Sequence, residues 1–366
     1  MKAIDIINIM NKWALPNLID EWDNTGFQIG DPNREVSKIL ISLDLDRDVV
    51  NKAIEEDVQM IITHHPIIFK PIKSIIYNSY KEKLIYDIIK KDIVVYNAHT
   101  NLDLAKGGVN DILANIFGLS SVEPLNDVHE EKLFKFVVFV PKSHAGVIRY
   151  ILGEEGAGFI GNYSHCTYNI EGKGTFMPHE GTSPFIGEAN KLEEVEEVRI
   201  ETIVRQKDLN RVLKSVITAH PYEEVAYDIY PLFNKGEVYG YGRVGNIEKI
   251  APDKFFTMVK EKLEVNNIII YGNIKEDITR IALCGGSGAS FISDAFAKGA
   301  QVYITGDIKY HDAQYANELG LILIDAGHYH TEKVILPVIG RYLEKETGNS
   351  VHIEVYYGMN PQRVIY

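Results

Sequence analysis

Val58–Pro66 reads VQMIITHHP, and Ala300–Ile308 reads AQVYITGDI. In both, a short apolar run stops abruptly at a polar turn. A run this short and continuous suits a strand buried on both faces, as in parallel sheets covered by helices. The stretches that follow also echo each other: Ile93–Asp103 (IVVYNAHTNLD) and Leu321–Glu332 (LILIDAGHYHTE). Each pair passes from a strand into a polar loop rich in His and Asp. Two duplicated half-domains facing each other would bring both sets of loops to one cleft; coincidence is the alternative for matches this short.

Nearer the start, Lys38–Leu43 (KILISL) reads as another buried strand. Ile4, Ile6, Ile7 and Met10 fit an amphipathic helix, as do Leu84, Ile85, Ile88 and Ile89. Near the end, Ile278–Leu283 is a strand, Gly285, Gly286 and Gly288 a turn, and Ala289–Lys298 a helix. Val334, Ile335, Val338, Ile339, Tyr342 and Leu343 predict a last helix, with Pro337 imposing a kink or a later start. Between these blocks the pattern changes. Strand Leu133–Val140, helix Ser143–Gly153, strands Tyr163–Glu171, Gly174–Met177 and Val198–Val204, helix Leu209–Thr218 and strand Val225–Tyr230 read as a ferredoxin-like α+β insertion. The expected fold class is therefore α/β: a discontinuous, two-lobed core of mostly parallel sheets, residues 1–126 and 237–366, interrupted by an inserted domain at 127–236.

At 366 residues the chain exceeds one ordinary core. With 45% hydrophobic and 24% charged residues it is globular rather than disordered. Its 38 basic and 51 acidic residues give a net charge of −13, and no basic cluster stands out, which disfavours nucleic acid as a partner. Two distant cysteines, Cys166 and Cys284, build neither a disulfide framework nor a thiolate zinc site. The opening MKAIDIINIM lacks the pattern of a signal peptide, and no apolar run approaches the roughly 20 residues of a membrane span. A cytoplasmic protein without membrane contact is expected.

Three segments carry chemistry. His64 and His65 end a strand and precede Pro66, which favours extended backbone for His65. Extended neighbours point to opposite sides and would serve two metal ions, or one metal and one substrate; the plain alternative is a pair of surface histidines at a turn. His99 and Asp103 follow the next strand, where ligands of open α/β sheets bind; alternatively Asp103 caps a turn and His99 is packed. His328 and Glu332, four apart, share one face of a helical turn; alternatively His328 is a loop residue and Glu332 a carboxylate favoured at a helix start. Together the three offer imidazoles and carboxylates without thiols, a set suited to Zn, Fe, Mn or Co. Five ligands serve two ions only if one is shared, and open positions then remain for water.

Glu21–Asp31 (EWDNTGFQIGD), Ile62–Phe69 (ITHHPIIF), Asn97–Asp103 (NAHTNLD), Cys284–Phe291 (CGGSGASF), Ile304–Ala313 (ITGDIKYHDA) and Asp325–Glu332 (DAGHYHTE) closely resemble, in order, the motifs of the NIF-three-like family, whose members are often called GTP cyclohydrolase 1 type 2 homologues. The resemblance implies two divalent metal ions (Zn, Fe or Mn) per chain: His64 and His328 on one, His65 and Asp103 on the other, and Glu332 bridging. Gly172–Gly187 (GKGTFMPHEGTSPFIG) and Ile217–Leu232 (ITAHPYEEVAYDIYPL) resemble the insertion of the family's longer bacterial form, which is similar to CutA and PII-like trimeric domains. The implied assembly is a toroidal homohexamer.

His99 and His311 are the expected catalytic residues, and Asp307 is expected to line the site. Gly285–Gly288 offers either an anion site at a helix start or only a tight connection. Trp22, Asp23 and Asn24 either shape a pocket or simply fold a loop. The expected function is a dinuclear metal-dependent hydrolase acting on GTP or a related nucleotide or phosphate compound. The alternative is a non-catalytic metal-binding regulator or scaffold built as a hexameric ring.

Overall fold

Met60–Thr63 is a strand buried at every position, and its two faces enter different cores. Met60 and Ile62 pack with Ile39, Ile41, Val94 and Tyr96 in the largest cluster. Ile61 packs with Leu40, Val95 and the helix residues Leu84, Ile85 and Ile88 in a second. That two-sided burial is why the run carries no polar alternation. The computed structural model describes residues 1–273, 275–358 and 360. The chain separates into two compact units, 1–129 with 239–366, and 130–238.

The first unit is mixed α/β with two sheets. One has the order Gly26–Ile29, Val94–Asn97, Met60–Thr63, Lys38–Ser42, His352–Val355. Its first pair is antiparallel and the rest are parallel. The other runs Ile269–Tyr271, Ile322–Asp325, Val302–Gly306, Ile278–Ser287, Arg243–Ile250, Ser120–Glu123. Here only the central three strands are parallel. The four leading strands correspond one to one, each set starting with an antiparallel edge. The repeat extends to single side chains. Gln59 Oε1 accepts from the amides of Ser37 and Lys38, and Gln301 Oε1 from those of Thr279 and Arg280. Each glutamine therefore ties the start of its strand to the neighbouring one.

The closing helix begins late. His328–Glu332 forms one α-turn, Lys333–Ile335 is 3-10, and Leu336–Glu346 is the helix proper, with Pro337 in its first turn where the missing N–H costs nothing.

The second unit runs strand Leu133–Pro141, helix Ala145–Glu154, strand Thr167–Phe176, strand Glu193–Arg205, helix Gln206–Ala219, strand Tyr227–Pro231. Its four strands form one antiparallel sheet with Tyr227–Pro231 and Thr167–Phe176 at the edges. The two strands expected at Tyr163–Glu171 and Gly174–Met177 are a single one. Gly172 and Gly174 lie inside an unbroken ladder, opposite Glu197 and Val195, so glycine there does not break the strand. Among the described residues, no helix is long and apolar enough to cross a membrane.

Candidate metal centre

Parallel strands deliver their carboxyl ends to one side, and the loops beyond those ends carry the chemistry. His64 and His65 follow Thr63, His99 and Asp103 follow Asn97, and His328 and Glu332 follow Asp325. His64 and His65 lie in a bend rather than on extended backbone. Thr63 Oγ1 donates to the His65 carbonyl (2.8 Å), which closes that bend. The two rings consequently sit side by side, centroids 5.0 Å apart, instead of pointing to opposite faces.

Four imidazoles meet. His65 lies 5.5 Å from His99 and 5.2 Å from His328 between ring centroids. His64, His65 and His99 each offer a ring nitrogen within 4.8 Å of the others, and so do the ligand atoms of His65, His328 and Glu332. Glu332 is the hub: one carboxylate oxygen lies 3.0 Å from His65 Nε2 and 2.9 Å from His328 Nε2, and the other lies 3.8 Å from His64 Nε2. Asp103 Oδ1 stands 3.5 Å from His64 Nε2. The distances thus group His65 with His328 and His64 with Asp103, a different pairing from the one the resemblance implies. Glu332 touches both groups.

Each imidazole is held from behind. Nδ1 of His64 donates to the Ala98 carbonyl (2.8 Å), that of His65 to Asp44 (2.8 Å), that of His99 to Asp23 (3.0 Å) and that of His328 to Asp307 (2.7 Å). An acceptor on Nδ1 fixes the proton there and leaves the Nε2 lone pair for a cation. Asp307 reaches its histidine from a left-handed backbone, φ 58°. Asp44 was not singled out in the sequence; its signal is its place just past the carboxyl end of Lys38–Ser42, the same rule that finds the other loops. Removing either support, by Asp44→Ala or Asp307→Ala, is expected to weaken metal binding about 10- to 100-fold, measured by competition with a chelator.

The residues fit a divalent cation. His64 Nε2 and Asp103 Oδ1 are both buried without a hydrogen-bond partner, although they stand only 3.5 Å apart. Unsatisfied buried polar atoms are costly, and a positive ion between these two would satisfy both. Burial and then the charge of Glu332 push Asp103 well above the usual carboxylate range, the mark of a site short of positive charge. Burial opposes ionisation of Glu332 as well, yet His65, His328 and His64 hold it well below that range. Burial works against charge on His65 and His328, but Glu332 and the carboxylates of Asp44 and Asp307 outweigh it and lift them to about 10 and about 9. In metal-free protein this pairing stabilises the fold fully below about pH 6.5, where the unfolded chain also binds those protons. The contribution is lost as the pH rises through 9 and 10. A cation entering at neutral pH must displace these protons. Metal affinity is therefore expected to rise with pH from 6 to 9, with calorimetric enthalpies that depend on the buffer that takes up the released protons.

Of the other candidates, Asp23 is tied down: its carboxylate accepts from His99 Nδ1 and from the amide and hydroxyl of Thr100. Trp22 is 59% exposed, its ring 6.1 Å from His99 and 5.9 Å from Phe69. His311 is exposed and meets Gln314 and Tyr310 rather than the four grouped imidazoles. In Gly285–Gly288 the three glycine amides are committed within the protein. The Gly285 amide donates to Asn110, that of Gly286 to Thr331 and that of Gly288 to Thr305, so these N–H groups are already used.

Residues 1–361 match the Duf34/NIF3 (NGG1p interacting factor 3) family. A Halalkalibacterium halodurans protein called GTP cyclohydrolase 1 type 2 homolog is 43% identical over 341 residues, 93% of this chain and 91% of its own. The chain belongs to the Duf34/NIF3 family. A Bacillus subtilis member with the same name is 42% identical over 339 residues, 92% of this chain and 91% of its own. The crystal structure of a Bacillus cereus protein related to NIF3 superposes with a TM-score of 0.94 at 42% identity, covering 100% of this chain and 99% of that one.

Proposed function

We propose that this Duf34/NIF3 protein is a hydrolase that works with two divalent metal ions, on GTP or a related nucleotide or phosphate compound. The observation that carries this reading is Glu332, one buried carboxylate set against three imidazoles, with Asp103 adjoining the innermost of them. His65, His328 and one oxygen of Glu332 would hold one ion; His64, Asp103 and the other oxygen would hold the second. Such a pair supplies an acidified water near neutral pH and a positive clamp for a substrate oxygen. His99 adjoins this set with Nδ1 committed to Asp23, so its Nε2 is the atom offered to take up or return a proton. The buried walls around Glu332 and His64 limit competing solvent. The shared name of the relatives supports a guanine nucleotide as the first substrate to test.

The test is turnover of a nucleotide and phosphate-ester panel by protein of defined metal content. Hydrolysis that requires metal and is lost in His99→Ala with metal retained supports the proposal. Full metal content with no turnover of any compound would favour the metal-binding regulator instead.

We also propose that residues 130–238 are an inserted ferredoxin-like domain of CutA or PII type that drives assembly into a ring-shaped homohexamer. Its strand–helix–strand–strand–helix–strand order supports the first part. Large exposed apolar side chains, among them Tyr150, Tyr163, Tyr168 and the wholly exposed Phe233, support the second. The segment enters and leaves at neighbouring points, since the Leu232 amide donates to the Leu133 carbonyl (2.9 Å). Replacing residues 133–232 with a short linker is expected to preserve metal binding and reduce the oligomer, read by light scattering. An unchanged oligomer that has lost its metals would reverse the assignment.

A further inference from the structure

The second unit contains a cavity of about 280 Å³ that the metal chemistry does not use. It is formed by the two stretches that mark this insertion in the sequence, Gly172–Gly187 and Ile217–Leu232, together with Glu197. Phe176, Phe185 and Tyr222 supply aromatic walls; the Tyr222 ring centroid lies 5.8 Å from Phe176 and 6.4 Å from Phe185, and neither pair is stacked. Met177 adds a thioether. The charged residues lining it are Glu197, Glu223 and Glu224, and no Lys, Arg or His lines it.

Two of these carboxylates are positioned. Glu197 Oε1 accepts from the Tyr222 hydroxyl (2.9 Å), and Glu223 accepts from the Ser183 amide (3.0 Å). Glu197 lies over Gly174, where a Cβ would stand 2.1 Å from Oε2. The glycine thus leaves room for the carboxylate on the strand surface, and Oε2 has no donor among the described residues. Aromatic faces beside unneutralised carboxylates attract a desolvated cation and repel an anion. A metal ion suits the pocket poorly, because its walls are rings and a thioether and no grouping of three metal-ligating side chains occurs there among the described residues.

We propose that this pocket binds a small organic cation of the substituted ammonium class, with the alkyl groups against Phe176, Phe185 and Tyr222 and the charge beside Glu197. Glu223 and Glu224 add negative potential at the rim. The inference stands apart from the metal centre and from whether that centre is catalytic.

Met177 is the one methionine between residues 130 and 238, so carbon-13 methyl labelling of methionine places a single reporter at the pocket. The full-length protein would be titrated with choline and, separately, with its neutral isostere 3,3-dimethylbutan-1-ol and with glutarate. Choline is expected to shift the Met177 methyl signal in a saturable manner, at least about tenfold more tightly than the neutral isostere. Glu197→Gln, which keeps the shape, is expected to weaken choline about tenfold; Glu224→Gln, on the exposed rim, should weaken it less. An unchanged Met177 signal in the ligand-free variants checks that the pocket's fold is intact. No shift with choline up to millimolar concentration would overturn the proposal. So would equal binding of the neutral isostere, preferential binding of glutarate, or choline binding that Glu197→Gln leaves intact.

Discussion

Glu332→Gln is expected to empty both metal positions at once. Glutamine keeps the volume and removes the charge. It also replaces one ligand oxygen with an amide nitrogen that has no lone pair to give. His65, His328 and His64 all face this carboxylate, so it adjoins both proposed positions. Removing the outer support of one ligand costs about 10- to 100-fold in affinity, and losing a ligand shared by two cations should exceed that at each position. His64→Ala should weaken chiefly the position it shares with Asp103. A second readout needs no metal. His65 and His328 are lifted to about 10 and about 9 largely because Glu332 is beside them. In metal-free Glu332→Gln both should titrate closer to an ordinary histidine, seen by NMR. Paired with elemental analysis and an unchanged cooperative melting transition, this separates loss of charge from misfolding. Near-original affinity for two ions in Glu332→Gln would remove the bridging role and, with it, the main support for two-metal water activation.

Much of the first unit was legible because its strands obey one rule. A strand buried on both faces has no polar position, so KILIS, MIIT and VVYN announce themselves as apolar runs. The polar loops after them stand at the carboxyl ends, where ligands gather, which is why six short motifs sufficed to find the cluster. The echo between the two halves was readable for the same reason: Gln59 and Gln301 do identical work in equivalent places. What was not legible is what depends on how loops turn. Reading His64 and His65 as extended put them on opposite sides, whereas the bend after Thr63 places the rings 5.0 Å apart. Asp44 carries no motif of its own; its place just past a parallel strand hints at it, and its hydrogen bond to His65 marks it. In the second unit Gly172 and Gly174 looked like a strand break because glycine usually weakens strands. There the absence of a side chain makes room for Glu197.

A second large effect is expected at Gly286, where a side chain is again missing for a reason. Its backbone is left-handed, φ 63°, and a Cβ there would stand 2.1 Å from Glu332 Oε1 and 3.2 Å from His328 Nε2. Left-handed backbone costs an ordinary residue about 1–2 kcal/mol, which a domain of this size tolerates. The clash is another matter, because the cheapest way to relieve it is to swing the Glu332 carboxylate out of its place among the imidazoles. Gly286→Ala is therefore expected to fold, to lose a few degrees of melting temperature, and to bind metal as poorly as Glu332→Gln. Gly288→Ala is the informative companion. Its Cβ would meet the Tyr303 hydroxyl at 2.4 Å and Thr305 Oγ1 at 2.5 Å, close packing that includes none of the five ligands. It should lower stability more and metal content less. Calorimetric melting and metal stoichiometry on the two variants give the comparison. If Gly286→Ala keeps both ions while Gly288→Ala loses them, the glycine is a folding requirement of the turn and not a cradle for the bridging carboxylate.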